Sequence, residues 1–244
     1  IDATTQYTVL IPTKDKDFWK PTAVNFTVAC LDIKNYTLAE QLEYKKYLDG
    51  LRADLVHFCM PQQPVLYRGK KVTTIHDLTL LNTWNSDKNW LVYHLKQLVG
   101  RFVFHHVVKT SARIITDSNN SSDDVISFDG RAKGKISTVY LAAETSHNPT
   151  QEVKLPFKRF LLYVGAQSDY KNIRRLGEAH QLLLPEYPDL GLVLVGKKGT
   201  LALRNERYFV SKQYANIHFT DFIPDEQRDW LYEHCEAYVF PSLM

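Results

Sequence analysis

The chain has 244 residues, a formal net charge of +3 and 44% hydrophobic residues, enough for one large or two ordinary globular domains. So small and mixed a charge gives no reason to expect a nucleic-acid partner, and no apolar run approaches the ~20 residues of a spanning helix. The three cysteines, Cys30, Cys59 and Cys235, lack Cys-x-x-Cys spacing, which argues against a disulfide framework and for a reducing, cytoplasmic setting; their apolar neighbours predict buried, inert thiols.

In chain order, strand-like runs fall at residues 7–11, 26–31, 54–58, 71–75, 113–116 and 136–140. Between them, 37–48 reads as a helix, 87–112 as a long one and 119–128 as a short one, with Asp117, Ser118 and Asn119 as candidate N-caps. In the long helix Leu91, Leu95, Leu98, Phe102 and Val103 recur at helical spacing beside Lys88, Lys96, Arg101 and Lys109. A basic amphipathic helix can lie on an anionic membrane. A core-facing stripe with solvated charges is the commoner arrangement and is the one expected here.

The pattern lapses between Leu141 and Pro156, where small and polar residues and two prolines predict a linker. It restarts with a strand at 159–165, a helix at 172–184, a strand at 191–195, a helix at 201–214, a strand at 217–220, a helix at 225–235 and a strand at 238–240. This is half of a doubly wound domain. The expected organisation is two Rossmann-like domains, 1–150 and 151–244, with a cleft between them.

The strongest local signal is the run from Tyr163 to Asn172. A strand ends at Gly165, a polar loop follows, and a helix starts near Asn172. Unpaired N–H groups at that helix start, with Lys171 beside them, suit a phosphate or diphosphate; an ordinary turn with a solvated lysine fits equally well. The second signal is Val72 to Leu78, a β-branched strand that delivers His76 and Asp77 to its carboxyl end. His76 could bond a sugar hydroxyl or phosphate oxygen, or act as acid or base; equally, Asp77 could cap the next segment with His76 a satisfied polar neighbour. Ser118 could meet an anion or an acceptor but reads better as an N-cap. The turn Gly196-Lys197-Lys198-Gly199 could meet phosphate but reads better as solvated. The adjacent His105 and His106 face different ways on a helix and make a poor metal site.

Taken together, these segments resemble the family 4 glycosyltransferases, enzymes of the GT-B fold. The match runs through Ala53-Asp54-Leu55-Val56-His57-Phe58, Pro64 to Lys70, Val72 to Leu81, and Arg113 to Ser118. It continues through Leu162-Tyr163-Val164-Gly165 to Lys171-Asn172, Tyr187 to Gly199, Phe219 to Glu226, and Ala237 to Leu243. Each piece is short; their order and spacing carry the likeness from about Asp54 onward. The resemblance implies a pair of Rossmann-type domains with parallel sheets facing across a cleft.

It also implies retaining transfer of a hexosyl group, for instance mannosyl, from a nucleotide-diphosphate sugar to a glycan or lipid-linked hydroxyl in surface polysaccharide synthesis. No metal or other cofactor is needed. By position, Gly165, Lys171 and Asn172 would hold the donor diphosphate, and the backbone of Phe222 and Ile223 would border the base. His76 would approach the transferred sugar, with Asp77 and Ser118 on the acceptor side. A cytoplasmic enzyme, with peripheral membrane contact as one alternative, fits that role.

Three departures stand out. Ala166 occupies a position where the family often has arginine. The family's two-glutamate motif, expected just past Met244, and its opening strand and Gly-rich loop are absent. The chain therefore reads as an interior piece of a longer protein, with an incomplete C-terminal domain and no activity expected of the piece alone. A non-catalytic nucleotide- or sugar-binding module and a nucleotide-sugar epimerase, which shares the fold, stand as rival readings.

Overall fold

The computed structural model describes residues 2–34, 36–82, 90–143 and 149–243, and side chains within these except at 90–92. The expected helix start at 87–89, the side chain of Leu91 and the centre of the expected linker, 144–148, lie outside the described residues. Contacts divide the chain into two compact units, Ile1–Leu81 with His94–Leu141 and Asn82–Tyr93 with Ala142–Met244.

The first unit opens with a parallel pair, β1 (Tyr7–Ile11) and β2 (Phe26–Cys30), which forms its own two-stranded sheet. A π-helical turn, Glu40–Tyr44, leads into α1 (Lys45–Leu51), which stops where Arg52 turns left-handed. The main sheet holds β3 (Val56–Phe58), β4 (Lys71–Thr74), β5 (Arg113–Thr116) and β6 (Ile136–Thr138), all parallel and in chain order. Between strands run α2 (Thr79–Asn82), α3 (Trp90–Thr110) and α4 (Asn119–Phe128). Ile75, Ile114, Phe104, Val107, Val108 and Val125 form the core between this sheet and α3 and α4.

The second unit is one four-stranded parallel sheet in the order β10-β7-β8-β9. Its strands are β7 (Arg159–Val164), β8 (Leu190–Val195), β9 (Ile217–Asp221) and β10 (Ala237–Tyr238). The helices are α5 (Ile173–Leu183), α6 (Thr200–Ser211) and α7 (Asp225–His234). Every residue of β8 is buried, as a central parallel strand covered on both faces requires. Side chains alternate: Tyr163, Leu192 and Leu194 pack with Ile173, Leu176 and Phe209 on one face. Phe160, Leu162, Val193 and Val195 pack with Leu231 on the other. Counted from β7, the strand order is 3-2-1-4, so the order reverses between β7 and β10, where doubly wound sheets bind ligands.

Two expectations fail. Cys30 and Cys59 are exposed and Cys235 is only half-buried. Cys30 ends a strand of the small sheet, and Cys59 lies in the loop just past β3, so neither reaches a covered face. Most of the α3 stripe is not core either: Leu95, Leu98 and Phe102 are exposed, while Val103 packs against the core. The helix turns Phe104, Val107 and Val108 to the sheet instead, and one helix cannot point both sets inward.

Lys71, at the start of β4, is 1% exposed, and its Nζ has no hydrogen-bond partner. Burial, aided by the nearby Arg68 charge, pulls it from 10.5 down to about 8. The unfolded chain keeps that proton to higher pH, so stability rises with pH between the two values and is reduced below them. Lys71→Met is expected to raise the melting temperature at neutral pH and to abolish the rise above about pH 8. Thermal unfolding of both proteins across that range checks it; a variant less stable at neutral pH would contradict it.

Candidate functional site

At the carboxyl ends of β7 and β8 the second unit encloses a cavity of about 520 Å³, within the usual range for small-ligand sites. Gly165, Gly196, Thr200, Phe222, Ile223 and Arg228 are among the lining residues. Its floor is backbone. Gly165 and Gly196 both have positive φ, +147° and +150°, and a Cβ on Gly196 would lie 2.3 Å from the Gly165 carbonyl oxygen. Only glycine meets both conditions.

Two loops are tied together beside this floor. Asp221, left-handed at φ +66°, accepts hydrogen bonds from the backbone N–H of Lys198 and of Phe222, each at 2.7 Å. Those bonds hold its carboxyl below the usual carboxylate range. The α6 N-terminus opens on the cavity: Thr200, Leu201 and Ala202 line it, and the N-cap, Gly199, offers no side-chain cap. Such an end carries unpaired N–H groups and partial positive charge. Lys197 also lines the cavity, whereas Lys198 turns aside to Glu206 at 3.0 Å. The charge of Arg228 is compensated by Asp225 and Asp229.

Of the residues singled out from sequence, Gly165, Phe222 and Ile223 meet at this cavity. Lys171 and Asn172 do not line it. Asn172 is the left-handed N-cap of α5, with no side-chain cap bond. Lys171 places Nζ 4.2 Å from the centre of the Phe240 ring and 4.9 Å from that of Tyr170. Phe240 follows β10 and stacks on Tyr163 of β7, so Lys171 stands where the strand order reverses. Among the described residues no carboxylate pairs with it.

In the first unit, His76 lies just past β4. Its Nδ1–H donates to Asp117 Oδ2 at 2.6 Å and its Nε2–H to the Cys59 carbonyl at 3.0 Å. The Asp117 hydrogen bond, more than the Cys59 carbonyl, raises its pKa above the ordinary histidine value. Asp77 Oδ1 accepts the Thr79 N–H at 2.9 Å and so caps α2. Ser118 is the N-cap of α4, its Oγ accepting the Ser121 N–H at 3.0 Å. Stability from the His76 pair is fully present below the ordinary histidine value and is lost as pH rises through the raised one. Asp117→Asn is expected to lower the His76 pKa, read by NMR titration of the ring; an unmoved titration would contradict the pairing.

Sequence reasoning set the Gly196–Gly199 turn aside as solvated although Gly196, Lys197 and Gly199 line the cavity, and it missed Asp221 and the α6 N-terminus. The available signal was the repeated Val-Gly at the ends of adjacent strands, Val164-Gly165 and Val195-Gly196.

Comparison with known proteins bears on this unit most directly. Residues 147–244 match the family model described as Glycosyl transferases group 1. The O-antigen chain mannosyltransferase B of Escherichia coli is 28% identical over 193 residues, covering 71% of this chain and 47% of that protein. The serotype-specific mannosyltransferase WbdA of Escherichia coli is 27% identical over 190 residues, covering 71% of this chain and 23% of that protein. The chain thus spans half or less of the length of these relatives.

Among solved structures, WaaG, a glycosyltransferase involved in lipopolysaccharide biosynthesis, superposes with a TM-score of 0.58 at 14% identity, covering 98% of this chain and 75% of that one. Anabaena HepE, solved with UDP and glucose, gives 0.58 at 13% identity, covering 89% and 61%. At such identities the likeness concerns the fold, which is the α/β, parallel-sheet fold of GT-B glycosyltransferases.

Proposed function

We propose that the protein to which this chain belongs is a retaining glycosyltransferase of family 4. It moves a hexosyl group, for instance mannosyl, from a nucleotide-diphosphate sugar to a hydroxyl of a glycan or lipid-linked acceptor. The observation that carries the reading is the glycine-floored cavity at the carboxyl ends of β7 and β8, inside the segment that matches the glycosyltransferase model. The mannosyltransferase relatives favour the sugar and a surface-polysaccharide role.

In this reading the nucleotide enters that cavity, with the base against the backbone of Phe222 and Ile223 and Gly165 allowing close approach. Lys171, beside the start of α5 at Asn172, holds the diphosphate. The bond from the anomeric carbon to the diphosphate oxygen breaks, the acceptor oxygen bonds that carbon on the same face, and the hydroxyl proton leaves with the diphosphate. Charge grows on the leaving group, and a fixed lysine and helix N-termini stabilise it. No metal takes part. His76 approaches the transferred sugar, its ring oriented by Asp117 and the Cys59 carbonyl; Asp77 and Ser118 shape the acceptor side through the turns they cap.

The test is the full-length protein with a panel of nucleotide sugars and a lipid-linked acceptor, the anomeric configuration of the product read by NMR. Retained configuration is expected; inversion would reject the mechanism. One observation favours a non-catalytic binding module: Ala166, which lines the cavity, adds no cation there. Nucleotide binding without turnover by the full-length protein would establish that reading instead.

A further inference from the structure

We propose that a small inorganic anion, of the size of chloride, binds inside the first unit between the start of β4 and α3, held by the buried ammonium of Lys71. Lys71 is 1% exposed, yet among the described residues its Nζ has no hydrogen-bond partner. An unpartnered buried charge is costly, and such an atom calls for a ligand that the protein itself does not supply. Lys71 and Thr73 share one face of β4. Thr73 Oγ1 lies 2.8 Å from Ser111 Oγ, just past α3, and Gln63, Thr73 and Ser111 are all buried. Gln63 Nε2 donates to Thr73 Oγ1 at 3.2 Å and leaves Oε1 without a partner; a half-turn of the amide exchanges the two. On α3, the buried Nε2 of His106 is likewise unpartnered among the described residues.

The charge around Lys71 selects the ligand. Burial, and then the charges of Lys71, Arg68 and Lys109, lower the His106 pKa, so cations crowd this region. The carboxylates whose charge reaches its neighbours are already engaged. Asp49, felt by Tyr67, pairs with Lys45; Asp129, felt by Lys135, pairs with Arg131 and His105. The last carbonyls of α3, another way to settle an ammonium, are taken too. Lys135 Nζ donates to those of Lys109 and Ser111, at 3.4 and 3.2 Å, and Thr110 Oγ1 to that of His106 at 2.8 Å. A water would leave these cations repelling one another. An anion pairs with Lys71 and, by favouring a proton on Nε2, with His106 as well. The buried surroundings limit it to a monatomic or similarly small ion.

The test is thermal unfolding of the purified chain as sodium chloride replaces sodium gluconate, whose anion is too large to be enclosed, at constant ionic strength. The melting temperature is expected to rise with chloride and to saturate. The rise should be present at neutral pH and lost at alkaline pH, where Lys71 is neutral. Lys71→Met, which keeps the length of the side chain without its charge, is expected to remove the chloride dependence. In gluconate it remains the more stable protein, and saturating chloride narrows that gap. His106→Gln is expected to weaken chloride binding by about tenfold, and chloride should raise the His106 pKa in an NMR titration of the parent. Crystals soaked in sodium bromide should show an anomalous peak in contact with Lys71 Nζ. No chloride dependence, or an equal one in Lys71→Met, would overturn the proposal, as would an ordered water in place of bromide. A bromide peak without a Lys71-dependent shift in solution would mark an adventitious ion only, and would overturn it too. None of these readouts depends on nucleotide binding or transfer.

Discussion

Gly196→Ala is expected to destabilise the second unit by about 2–4 kcal/mol and to abolish nucleotide binding. Two costs add. The residue holds φ at +150°, a region L side chains rarely adopt, and its new methyl would lie 2.3 Å from the Gly165 carbonyl oxygen. That oxygen is backbone at the end of β7, whose next-door strand is fully buried, so it cannot swing aside as a flexible side chain would. Either β8 shifts against β7 or the loop to α6 rebuilds, and both deform the cavity floor. Urea unfolding read by a probe in the second unit gives the first number, and nucleotide titration of the folded fraction gives the second. A variant as stable as the parent would show that the close approach is not a constraint.

Lys171→Ala is expected to weaken binding of a nucleoside diphosphate by about 10- to 100-fold, the scale of one charge-assisted hydrogen bond. Binding of the bare nucleoside should not change. In the full-length protein transfer should fall by about 100-fold or more, because the diphosphate gains charge as it leaves. The fold should survive, since the contacts of the ammonium are the faces of Phe240 and Tyr170. Lys171→Arg should restore part of the effect. Undiminished diphosphate binding in Lys171→Ala would remove this residue from the donor site, leaving the α6 N-terminus and Lys197 as the phosphate partners.

The legible and illegible parts of this chain divide along physical lines. Continuous apolar runs such as Leu190–Val195 announce buried parallel strands, because both faces must be covered, and α4 begins and ends where its cap and its pattern predict. The alternation of strands and helices suffices for the layer architecture. Which apolar stripe of α3 faces inward was not legible: residues 95, 98, 99 and 102 and residues 104, 107 and 108 both keep helical spacing, and only the position of the sheet chooses between them. The exposure of Cys30 and Cys59 was illegible for the same reason, since apolar neighbours in sequence do not say which pleat is covered.

The site shows a similar split. Gly165, Phe222 and Ile223 sit at strand ends, where open sheets place ligands, and chain order alone brings them to one cavity. The turn at Gly196 was seen but set aside, because the glycine's role depends on a neighbouring carbonyl, a relation between strands that no local motif encodes. Asp221 escaped because its two hydrogen bonds come from backbone N–H groups, one of them 23 residues away along the chain. His76 was legible as a polar residue at a strand end; the rise in its pKa was not, since Asp117 arrives from the next strand.

The central claim is that a nucleoside diphosphate occupies the cavity at the ends of β7 and β8. Titrating the chain with uridine, guanosine and adenosine diphosphates, followed by backbone amide NMR, tests it most directly. The account predicts that at least one binds and shifts the amides of Gly165, Gly196, Thr200 and Ile223 before any in the first unit. Binding by none of the three, or shifts that leave those four amides unmoved, would contradict it.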